Sequence, residues 1–156
     1  MADHYYEEYF EDIFRMMELS KSLKVWLVDY EGMLFIHPFK AFKATSTEEE
    51  YAEICNGAGP NNFGFLVPDS MYLLNMTIVF DHHDFCYDYF DSLLGKELSD
   101  LLMKINSVKF IHRNTTNCPF LRGMLIRRRT FRAMIYYEAV HIGGKWFFET
   151  DKEKKK

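Results

Sequence analysis

The tract Asn56-Gly57-Ala58-Gly59-Pro60-Asn61-Asn62-Phe63-Gly64 limits this chain more than any other. Glycine is a poor helix and strand former, proline lacks the N–H that either element needs, and asparagine favours turns. Leu66-Val67-Pro68-Asp69-Ser70 extends the same composition. A long loop over 56–72 is therefore expected to divide the chain, and ordered loops of that length often carry function.

Before the loop, residues 4–23 place Tyr6, Tyr9, Phe10, Ile13, Phe14, Met17 and Leu19 near helical spacing with acids between them, an amphipathic first helix. Val25–Val28 and Met33–Ile36 read as a hairpin about the turn 29–32, with Pro38 ending the second strand. Residues 43–47 read as a polar connection in which Ser46 or Thr47 caps a helix opened by Glu48-Glu49-Glu50 and ending near Cys55. After the loop, a helix runs from about Ile78 to Phe90, with Thr77 as its cap and Gly95 interrupting the pattern. A second covers 96–105, and the short link makes the two antiparallel neighbours. A third is expected over 121–141, with Gly143-Gly144 as its C-cap. The charged tail 149–156 is expected to fray.

With 156 residues, 48% hydrophobic and 27% charged, the chain can bury one core and is not intrinsically disordered. No apolar run reaches membrane-spanning length, and no basic region precedes an apolar stretch at the N-terminus. The chain is thus expected to be made in the cytoplasm and to leave, if it does, with a virion or by a route without a Sec signal. Three cysteines, at 55, 86 and 118, exclude a dense disulfide framework and suggest a reducing compartment. A net charge of −4 argues against nucleic acid as a partner. Charge is nonetheless uneven. The first helix is acidic and offers a surface for a protein partner, while Arg127, Arg128, Arg129 and Arg132 form a basic run suited to an anionic membrane.

The segment 80–89, Phe-Asp-His-His-Asp-Phe-Cys-Tyr-Asp-Tyr, is heavily polar for a helix with apolar flanks, and such conflicts tend to mark functional sites. His83 and Tyr87 share a face at i and i+4, and Asp84 lies about 100° round. Across an antiparallel neighbour, Asp100 would sit opposite His83, fixing its tautomer and leaving the other nitrogen as a general base. Backbone carbonyls of the glycine-rich loop, together with the Asp84 carboxylate, make a donor set suited to a hard cation. His82, Asp81, Asp88 and Asp91 receive no role, and Asp81 is read as a solvated helix acid.

The order of these pieces resembles the phospholipase A2 superfamily, closest to its small, disulfide-poor bacterial and phage-type members. The loop at 56–60, Leu66-Val67-Pro68-Asp69, His83-Asp84-x-x-Tyr87, Asp100 and Tyr136-Tyr137-Glu138-Ala139-Val140 carry the likeness, over about residues 55–148. It implies a mainly α fold with an antiparallel helix pair and a calcium loop, to which 1–54 would add a helix and a small β-hairpin packed on the domain, and 149–156 a tail. It implies Ca²⁺ as cofactor, held by Asp84 and the carbonyls of Cys55, Gly57 and Gly59. His83 would be the base that activates water, Asp100 its orienter and Tyr87 a hydrogen-bond donor to Asp100, for hydrolysis of the sn-2 ester of a phospholipid. Two other classes compete. One is a non-catalytic module on the same scaffold; the other is a metal-dependent phosphohydrolase using His83-Asp84 with His37 as upstream ligand.

Overall fold

The computed structural model describes residues 2–55, 70–71, 74–115 and 119–154. Within them the protein is mainly helical, with a small antiparallel hairpin near its N-terminal end. Helix α1 (Ala2–Ser22) is followed by β1 (Leu27–Tyr30) and β2 (Met33–Ile36). Their pairing runs up to Tyr30↔Met33, so the turn has only two residues, Glu31 and Gly32. Both have positive φ, at 53° and 79°, which closes a type I′ turn. The first strand therefore ends two residues later than the expected 25–28.

Pro38 ends β2 as expected, yet it also opens an unexpected helix that runs into the expected connection 43–47: α2 (His37–Thr45) has proline in its first turn, where no N–H is needed. Helix α3 (Glu48–Ile54) follows as expected. Thr47 Oγ1 accepts from the Glu50 N–H at 3.2 Å, and Glu50 Oε2 accepts from the Thr47 N–H at 2.8 Å, a capping box. Part of the expected loop is ordered pairing: β3 (Ser70–Met71) runs antiparallel to β4 (Leu74–Asn75).

Helix α4 (Thr77–Tyr89) begins with Thr77 inside it rather than as its cap; Asn75 Oδ1 accepts from the Thr77 N–H at 2.9 Å instead. Helix α5 (Leu93–Asn114) is far longer than the expected 96–105 and includes Gly95 in its first turn, where Ser92 Oγ accepts the Gly95 N–H at 3.1 Å. A Cβ on Gly95 would lie 2.3 Å from Phe90 Cβ, so this glycine permits the tight corner between α4 and α5. Helix α6 (Arg122–Lys154) corrects two expectations at once, continuing through Gly143 and Gly144 and through most of the charged tail. Gly144 is buried against the site: a Cβ there would stand 2.7 Å from the Tyr87 hydroxyl and 3.3 Å from Lys96 Cε. Close approach of helices, not helix termination, is what this glycine supplies.

α5 is the central post, packed by α1, α4 and α6. Lys104 meets Asp12 of α1 at 2.7 Å, and Arg15 meets Glu97 at 2.7 Å. Contacts that step forward along α4 step backward along α5, from His83–Asp100 to Tyr87–Lys96, so the two are antiparallel as expected. On the other side of α4 lies an apolar cluster of Phe35, Ile36 and Phe39, all essentially inaccessible.

Candidate functional site

Asp100 is the centre of the site. It is wholly buried on α5, and each of its oxygens has two partners. Oδ1 faces His83 Nε2 at 3.1 Å and accepts from the Tyr87 hydroxyl at 2.7 Å. Oδ2 accepts from Lys96 Nζ at 2.5 Å and faces His141 Nδ1 at 3.0 Å. Lys96 also donates to the His141 carbonyl at 3.2 Å, which ties α6 to the same carboxylate.

A buried carboxylate is ordinarily driven toward its neutral form. Desolvation works in that direction here, but the bonds from His83 and Lys96 outweigh it and hold Asp100 well below the usual carboxylate range. An ionised Asp100 can only accept, so His83 Nε2 must carry the proton and Nδ1 is the basic nitrogen. That nitrogen is turned toward Asp84, whose Oδ1 is 3.7 Å away. Burial lowers the His83 pKa, yet the hydrogen bond to Asp100 and the nearby Asp84 carboxylate overcome it, and the net shift is upward. Burial, then the nearby Asp100, pushes the Tyr87 phenol up, so it remains a donor.

His82, one residue away, is on the other face of α4. Its ring is completely buried, 4.5 Å from Phe35 and 5.0 Å from Phe39 between centroids, and Nε2 accepts from the Ile36 N–H at 3.1 Å. Desolvation, followed by repulsion from His83, takes its pKa down to about 3. This histidine is neutral and joins the hairpin to α4. Asp81, expected to be solvated, is buried and accepts from the Tyr51 hydroxyl at 2.5 Å.

The structure thus brings together His83, Asp100, Tyr87 and Asp84. Lys96 and His141 were missed. The i, i+4 spacing of Lys96 and Asp100 was a legible signal; nothing local announces His141, which arrives from another helix. Of the four arginines assigned to a membrane surface, Arg127, Arg128 and Arg132 are exposed, but Arg129 is buried and donates to Thr115 Oγ1 at 2.7 Å. It does not belong to that surface. His37 is exposed at the start of α2, whose preceding residue contacts His82 rather than His83.

Gly57 and Gly59, with Leu66–Asp69 of the motif, fall outside the described residues. Cys55 and Asp84 remain from the expected cation set. Cys55 Sγ donates to the Asp81 carbonyl at 3.4 Å, which puts Cys55 beside the turn of α4 that bears Asp84. The Asp84 side chain is 14% exposed. A carboxylate with main-chain carbonyls is a hard oxygen set that fits calcium. Burial, then Asp81 and Asp84, pushes the Cys55 thiol up to about 12, which keeps it protonated and unsuited to a softer metal. Among the described residues no group of three or more His, Cys, Asp or Glu side chains is placed to cage a metal by itself. No protein-family model, curated protein or solved structure matches this chain.

Proposed function

We propose that this protein is a calcium-dependent hydrolase of the phospholipase A2 type, cleaving the sn-2 ester of phospholipids. One observation carries the reading: His83 is held by Nε2 on the buried Asp100, which Tyr87 also holds, while Nδ1 is left toward Asp84. That arrangement suits a base acting on water and needs no covalent nucleophile.

His83 Nδ1 takes a proton from water as the oxygen attacks the ester carbonyl. The imidazolium is stabilised through Nε2 by Asp100, and it returns the proton to the departing lysophospholipid alkoxide, so that water and ester become fatty acid and alcohol. Tyr87 and Lys96 hold the two Asp100 oxygens in place throughout. Asp84, with the carbonyls of Cys55, Gly57 and Gly59, would hold the ion. Bound there, calcium supplies polarisation of the carbonyl and stabilisation of the oxyanion.

The test is release of fatty acid from phospholipid vesicles. Wild-type protein is expected to release it with calcium and not with chelator, and H83Q and D84N are expected to release none. Calcium-independent release, or wild-type release by H83Q, would overturn the assignment.

A further inference from the structure

Helix α6 carries a second feature on the side away from the core. Arg129, Ala133, Tyr136 and Gly144 are buried against the rest of the protein. On the opposite side, Met124, Phe131, Ile135 and Ile142 are exposed by 44%, 68%, 56% and 75%. Their separations of seven, four and seven residues bring them within about 20° of one line along a helix, a row of about 27 Å. At its N-terminal end Leu121 is also exposed, and Phe120 fully so.

Arginines flank this row. Arg127 lies to one side of it, Arg128 and Arg132 to the other, all exposed. Between residues 122 and 144 the sequence holds one acid, Glu138.

We infer that this face of α6 is a docking surface for anionic phospholipid membranes. An apolar row of this length gains by entering hydrocarbon, while arginines at its margins gain by meeting phosphate, and a phospholipid surface offers both in adjacent layers. A nucleic acid would satisfy the arginines but leave the Phe, Met and Ile side chains in water. A second α6 laid parallel along the row would set Arg127 of one copy near Arg128 and Arg132 of the other. The inference deepens the proposed function and rests on it only for the link to the substrate; the same helix brings His141 to Asp100.

The experiment is co-sedimentation of the full chain, in chelator, with vesicles of ether-linked phosphatidylcholine alone or mixed with ether-linked phosphatidylglycerol. Ether lipids cannot be hydrolysed, so binding is read apart from catalysis. Expected is binding to the mixed vesicles that weakens in high salt. F131S/I135S should lower partitioning by about tenfold or more, and R127Q/R128Q by a similar factor on anionic vesicles only. H83Q should bind as wild type. If H83Q and wild type bind alike but ester vesicles are never cleaved, the surface stands and the phospholipase reading falls. Equal binding to neutral and anionic vesicles, binding unchanged in both double variants, or a dimer that F131S/I135S dissolves would overturn the inference; the last would assign the row to a second copy.

Discussion

His82 and His83 are adjacent, both buried, and opposite in character. His82 is enclosed by the aromatic rings of the hairpin and α2, with the Ile36 N–H and the Cys86 thiol at its Nε2, and its pKa falls to about 3. His83 faces α5 and an ionised carboxylate that four groups share, and its pKa rises. Burial alone therefore says little about a histidine. Burial drives both rings toward the neutral form; at His83 the Asp100 and Asp84 carboxylates reverse it, whereas at His82 Nε2 meets a main-chain N–H and burial prevails.

The largest effect on this contrast should come from removing the carboxylate. D100A leaves Lys96 buried without its counter-charge and should cost about 3–5 kcal/mol in chemical denaturation, whereas D100N should unfold less readily than D100A yet lose about 10³-fold in hydrolysis. Y87F removes a single hydrogen bond to the charged Asp100 and should cost about 1.5–3 kcal/mol, with the His82 side unaffected. G144A places a methyl group against Tyr87 and Lys96, and about 1–3 kcal/mol of destabilisation is expected from overpacking.

A smaller effect is expected from pH. The folded pKa of His82 lies below its ordinary value of 6.5, so the stability this neutral ring contributes is complete above 6.5 and is lost as pH falls toward about 3. The folded pKa of His83 lies above 6.5, so its contribution is complete below 6.5 and is lost as pH rises through the raised value. These two groups together place a stability maximum near pH 6.5, with slopes of at most about 1.4 kcal/mol per pH unit for each. In H82F the acid-side slope should flatten while the alkaline-side slope persists, as measured by urea unfolding across pH. The reverse pattern would mean that the roles of the two rings are exchanged.

The same contrast shows what the sequence reveals. His83, Tyr87 and Asp100 were legible because i, i+4 spacing and a short antiparallel link are local rules that fix which side chains meet. Helix α3 was legible for the same reason, its capping box lying wholly within Thr47–Glu50. The environment of His82 was not, since it depends on a hairpin more than forty residues earlier in the chain. Nor was the length of α6: glycines inside a helix weaken it, and the packing of Gly144 against Tyr87 and Lys96 is a contact between helices far apart in the chain. Pro38 served two elements at once, ending β2 and opening α2, where a sequence reading assigned it one.

The most direct measurement compares H82Q and H83Q side by side in hydrolysis of phospholipid vesicles at saturating calcium, with circular dichroism confirming that both are folded. Glutamine at 82 retains an oxygen for the Ile36 N–H, and glutamine at 83 retains an N–H for Asp100, so each substitution preserves its main contact and removes only the imidazole. Expected is a loss of about 10³-fold or more in H83Q, with H82Q keeping most of the wild-type rate. Loss in H82Q with activity preserved in H83Q would contradict the assignment of His83 as the base.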